Sequence, residues 1–126
     1  MPTAKITINP VCDITCFNQE KVTRIKADLA KDGQLLPQLA ELYKLLGNVT
    51  RLKILLSLAD SELCVCDVSH VLGLTVAATS HQLKLLRSQG WLTMRNDGKM
   101  VYYRVHSKSL LKALRGDLSI LEERMA

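Results

Sequence analysis

Residues 64–105 constrain the fold of this chain more than any other part of it. A short helical pattern over residues 64–72 meets Gly73, and a longer one over residues 76–89 closes at Gly90. Two helices joined by a turn of about three residues containing glycine form a helix-turn-helix. Residues 91–94 and 100–105 then read as two strands, and the run Arg95-Asn96-Asp97-Gly98-Lys99 between them is a strong hairpin turn signal. A hairpin placed directly after the second helix is the wing of a winged helix-turn-helix.

The second helix has two chemically distinct sides. Val76, Thr79, Leu83 and Leu86 fall within about 80° of one another at about 100° per residue, so they are expected to face the core. The opposite side carries Ala77, Ala78, His81 and Lys84, with Ser80 and Arg87 flanking. Small residues at the N-terminal end permit close approach, and polar and basic ones behind them reach base edges and phosphates, as a recognition helix in the major groove requires. Arg95, Lys99 and Arg104 lie on the hairpin, where phosphate contact is the natural task. Between Val71 and His106 there are five Lys or Arg and one acid, Asp97. The excess behind the net charge of +5 is thus concentrated on these elements.

The rest of the chain supports this unit. Its 126 residues amount to one domain with a small core. Residues 1–17 carry turn formers and few periodic apolar positions, so they read as an arm. Residues 18–126 form the domain, mainly α-helical with the hairpin wing. Asn18 is placed to cap a helix over 18–31 with Val22, Ile25 and Leu29 as its stripe, ended by Asp32-Gly33. A second helix spans 35–46 and tolerates Pro37 in its first turn. Gly47-Asn48 stops it and caps a third over 49–59, whose face is Leu52, Leu55, Leu56 and Ala59, widened by Ile54 and Leu58. A last helix starts near Lys108. Its stripe of Leu110, Leu114, Leu118, Leu121 and Met125 faces the domain's own core or a second subunit. No apolar run reaches membrane-spanning length, and residues 1–10 lack a signal-peptide core, so a cytoplasmic protein is expected.

The four cysteines are Cys12, Cys16, Cys64 and Cys66. In a reducing compartment, paired cysteines more often bind metal or do redox work than form structural disulfides. Four thiolates are a soft, tetrahedral-capable set that suits Zn, Cd or Pb and disfavours Mg or Ca. Cys64 and Cys66 lie near a helix start, whose partial positive charge favours thiolate. Buried structural thiols and a redox disulfide are the alternatives. His70 and His106 lack partners at ligand spacing, and His81 lies on the DNA-facing side. No Ser/His/Asp, paired-carboxylate or phosphate-loop constellation points to an enzyme or to a small-molecule substrate.

Several stretches together resemble the ArsR/SmtB family of bacterial metal-sensing repressors, in its cadmium/lead/zinc-sensing CadC-like branch. They are Thr50-Arg51-Leu52 with Ile54-Leu55, Glu62-Leu63-Cys64-Val65-Cys66-Asp67, Ser80-His81-Gln82-Leu83, Gly90, and Asp97-Gly98-Lys99 with Val101-Tyr102-Tyr103. The Cys12 arm followed by Glu20-Lys21-Val22 adds to them. The resemblance implies a homodimeric winged helix-turn-helix that leaves double-stranded operator DNA when metal binds. It implies that Cys12 and Cys16 of one subunit join Cys64 and Cys66 of the other. Arsenite sensors of the family often carry a third cysteine where this chain has Ser69. Members with a zinc site between C-terminal helices place ligands where this chain has Ser107, Ser109, Ile120 and Glu123, so that site is expected to be absent.

The expectation is therefore a metal-responsive transcriptional repressor. A thiol redox-switched regulator on the same fold and a metal-buffering thiol protein are the alternatives.

Overall fold

The structure, a computed structural model, describes residues 16–126. Its elements run α1 (Gln19–Lys31), α2 (Leu35–Leu46), α3 (Val49–Ser57), β1 (Leu63–Cys64), α4 (Val65–Leu72), α5 (Val76–Ser88), β2 (Leu92–Asp97), β3 (Met100–Val105) and α6 (Lys108–Met125). Two units divide the chain, Met1–Leu42 and Tyr43–Ala126.

In the first unit, α1 begins where its sequence places a cap: Asn18 Oδ1 accepts from the Lys21 N–H at 3.0 Å. It ends at Asp32, whose carbonyl accepts from Leu35 and Leu36 and so starts the next helix. None of the α1 side chains is buried, and its stripe residues Ile25 and Leu29 are exposed. The outer turns of α2 behave alike, with Leu35, Leu36 and Leu39 all exposed.

In the second unit, Asn48 caps α3 by accepting from the Arg51 N–H at 3.1 Å. Ile54 and Leu55 of α3 and its C-cap Leu58 are fully buried, while Leu52, Leu56 and, beyond the helix end at Ser57, Ala59 are half-buried. The buried face is thus centred on Ile54 and Leu58, which the sequence pattern places at its margin. The core is completed by Leu46 of α2, Cys64 of β1, Val68 of α4, Thr79, Leu83 and Leu86 of α5, Leu92 and Tyr103 of the sheet, and Leu110 and Leu114 of α6. Thr79 is a polar residue in this set. It is tolerated because its hydroxyl donates to the Thr75 carbonyl at 2.8 Å.

Gly73 ends α4 in the left-handed region at φ 68°, ψ 31°, which only glycine occupies without a Cβ penalty. Thr75 then caps α5, its Oγ1 accepting from the Ala78 N–H at 3.0 Å.

The hairpin differs from the sequence reading. The first strand spans Leu92–Asp97 rather than residues 91–94, and Asp97 pairs with Met100. The five-residue turn therefore shrinks to the two-residue loop Gly98-Lys99. Gly98, at φ 62°, stands at the first loop position, where a II′ turn needs positive φ. A third strand, β1, has no counterpart in the sequence reading. It pairs antiparallel with β3, Leu63 against Tyr103 and Cys64 against Tyr102, giving the order β1-β3-β2.

Candidate metal centre and nucleic-acid interface

β1 changes where the thiols sit. Cys64 belongs to the strand and is the N-cap of α4, so the helix starts at Val65, one residue later than its periodicity predicts. Cys66 is the second residue of its first turn. Asp67 reaches back and accepts from the Cys64 N–H at 3.2 Å, the carboxylate half of a capping box in which a thiol takes the hydroxyl's place. The two sulfurs are unequal in access: Cys64 is 5 % exposed, whereas Cys66 lies on the surface. Both are free thiols.

Cys12 lies outside the described residues. Cys16 is exposed and disulfide-bonded. Among the described residues, no group of three or more His, Cys, Asp or Glu gathers as a metal site. The donor chemistry of Cys64 and Cys66 fits a soft ion, and it amounts to half of a tetrahedral thiolate set. Ser69 is buried, and its hydroxyl donates to the Cys66 carbonyl at 2.8 Å. Ser107 caps α6, its Oγ accepting from the Leu110 N–H at 3.1 Å.

The α5 helix carries the expected DNA-facing residues. Ala77, Ala78, His81, Lys84 and Arg87 are exposed and Ser80 is half-buried, with Thr79, Leu83 and Leu86 buried on the other side. Val76 departs from its predicted place in the core and is 47 % exposed. It is the first residue of the helix, so its side chain lies beyond the packed turns that cover the rest of the stripe.

Two long-range contacts hold these elements, and neither is readable from periodicity. Arg51 Nε donates to Gln82 Oε1 at 3.1 Å, and its Nη1 donates to the Leu45 carbonyl at 2.9 Å. One guanidinium thus satisfies a carbonyl in the last turn of α2, where helix acceptors lack partners, and fixes the side of α5 that bears Gln82. On the wing, Lys99 is exposed in the turn, and Arg95 is drawn to Glu62, its Nε donating to both carboxylate oxygens at 2.9 Å. The hydrogen bond to Glu62 raises the Arg95 pKa above its ordinary value; loss of solvent contact opposes it, and the charges of Glu62 and Asp97 add to the rise. The guanidinium therefore stays charged at any pH at which the protein works.

A family profile described as "Bacterial regulatory protein, arsR family" matches residues 48–93, the span from the α3 cap into the wing. The cadmium resistance transcriptional regulatory protein CadC of Listeria innocua is 36% identical over 119 residues, covering 94% of this chain and 98% of the relative. The chain belongs to the ArsR family. Among solved structures, a homodimeric winged helix-turn-helix DNA-binding domain from Mycobacterium bovis superposes with a TM-score of 0.67 at 28% identity, over 75% of this chain and 88% of that one. The AntR antimony-specific transcriptional repressor gives 0.62 at 25% identity over 95% and 97%. The winged helix-turn-helix read from residues 64–105 is thus the fold of this ArsR-family chain. No helix among the described residues is long and apolar enough to cross a membrane.

Proposed function

We infer that the chain is a metal-responsive transcriptional repressor. A homodimer binds double-stranded operator DNA and is released when a soft divalent ion, Cd, Pb or Zn, binds its thiolates. The observation that carries this reading is the position of Cys64 as the N-cap and Cys66 in the first turn of α4, the helix joined through Gly73 to the exposed face of α5. The similarity to CadC and AntR supports it, since both are transcriptional regulators named for soft-element resistance or response.

In this reading Ala77 and Ala78 let α5 approach the groove, and Ser80 and His81 meet base edges. Lys84, Arg87, Arg95 and Lys99 meet phosphates. Cys64 and Cys66 hold the ion together with Cys12 and Cys16, the arm pair coming from the other subunit. The arm is residues 1–17, and residues 18–126 carry DNA binding and dimerisation. The bare apolar stripes of α1 and the outer α6 turns suit a subunit contact. The ion supplies a strong preference for four thiolate donors. Cys64 and Cys66 pass that preference on by shifting the start of α4 against α5. The coupling is on the order of 1–3 kcal/mol, and by reciprocity DNA weakens metal binding by the same factor. No catalytic chemistry is assigned, and a cytoplasmic setting matches a protein that reaches DNA.

The test is a titration of operator duplex with the reduced protein, with and without Cd²⁺, Pb²⁺ and Zn²⁺. Affinity should drop at least about fivefold with an effective metal; unchanged affinity with all three rejects the reading. One observation favours a second reading, the redox switch, because Cys16 is disulfide-bonded. Under that reading, oxidation alone changes operator affinity and metal leaves it unchanged.

A further inference from the structure

Glu62 and Arg95 form a contact that the DNA-binding reading leaves unused. Both oxygens of Glu62 lie 2.9 Å from the same atom, Arg95 Nε. Arg95 Nη1 lies 3.6 Å from Asp97 Oδ2, and the guanidinium carbon sits 4.8 Å from the centroid of the Tyr102 ring. The pair is open to solvent, Arg95 at 51% and Glu62 at 32%.

Three features define what such a pair does. Arg95 stands on the wing with Lys99 in the turn and Arg104 on β3, so it belongs to the basic surface that would meet a DNA backbone. Two oxygens on one N–H are not the parallel fork of a strong arginine–carboxylate pair. Exposed pairs of this kind are weak and screened by salt. Arg95 is therefore occupied without being locked, and a phosphate can replace the carboxylate charge for charge.

We propose that Glu62 is a built-in competitor of DNA phosphate for Arg95, and so a brake on the grip of the wing. The proposal rests on the DNA-binding reading above. The brake lies in the segment that carries the thiols. Glu62 is two residues before Cys64, and the strand register sets Cys64 beside Tyr102 and Tyr102 beside Arg95.

The experiment is a double-mutant cycle with Glu62→Gln and Arg95→Ala in the full reduced chain. Binding to a mixed-sequence DNA duplex is measured over a range of salt, because phosphate contact is independent of sequence and visible in the salt slope. Glu62→Gln keeps the shape of the side chain and should tighten binding about three- to fivefold, the size of a released surface pair. In the Arg95→Ala background the same change should have no effect. Removing Arg95 should lower the salt slope by about 0.9 when Glu62→Gln is present, and by less when Glu62 is intact. Equal tightening in both backgrounds would mean a general loss of negative charge and would overturn the proposal. Weaker or unchanged binding on Glu62→Gln would overturn it too, since the pair would then only shape the wing. A wild-type chain with no salt-dependent duplex binding overturns this proposal and the repressor reading together. Any of the other failures leaves the repressor reading standing.

Discussion

Arg51 and Gln82, 31 residues apart in the chain, are joined by a hydrogen bond of 3.1 Å between Nε and Oε1. The bond fastens the first turn of α3 to the middle of α5, and the same arginine also holds the Leu45 carbonyl. The orientation of α5 therefore depends on a polar link as well as on apolar packing.

Replacing Gln82 with Ala removes the acceptor while leaving Arg51 its contact with Leu45. Stability should fall by about 1.5–3 kcal/mol in urea unfolding, the range for a hydrogen bond to a charged group. Operator affinity should fall as well, with an unchanged salt slope, because no phosphate contact is lost.

The unequal burial of the two free thiols gives a chemical prediction. In the reduced native protein, Cys66 should alkylate with iodoacetamide at least about tenfold faster than Cys64, which must wait for local opening. Peptide mapping by mass spectrometry after short exposures measures the two rates. Equal rates would mean that the Cys64 thiol is not shielded by the strand.

Cys66→Ser should fold normally and bind operator as tightly as the wild type when metal-free, because the Cys66 side chain is exposed. Its release by Cd²⁺ should be blunted by about tenfold or more in metal concentration, corresponding to the loss of one ligand. Loss of metal-free binding would instead make the side chain structural.

Gly98→Ala puts a Cβ on a residue at φ 62°. No neighbouring atom obstructs it, so the cost is backbone strain alone, about 1 kcal/mol. Thermal unfolding should shift down by about 4 °C for a chain of this size. A replacement that left the melting temperature unchanged would mean that the loop had moved to another turn type.

Much of this architecture is legible in the sequence because it is local. Asn18, Asn48 and Gly73 act within three or four residues of themselves, and each does what its position announces. The exposed face of α5 follows from helical period. The misses come from contacts that period does not encode. β1 is two residues long, too short to alternate, and exists only because β3 lies beside it. The wing strand extends through Arg95 and Asn96 because pairing with Tyr102 and Val101 outweighs their turn preference. Val76 keeps helical phase with the core yet stands outside it, since phase says nothing about where packing ends. The stretch Glu62-Leu63-Cys64-Val65-Cys66-Asp67 carries a family resemblance in the sequence, but the partner of Glu62 lies 33 residues away on the wing.

The brevity of β1 has a consequence for the order in which the sheet comes apart. Its ladder with β3 has two paired positions, against six between β2 and β3. An edge with so few rungs opens at a small fraction of the global unfolding free energy. The amide protons of Leu63 and Cys64 should therefore exchange with deuterated solvent well before those of Tyr102 and Tyr103. The fraying edge is also the one that shields a thiol, so the shielded sulfur is exposed in brief openings that leave the hairpin intact.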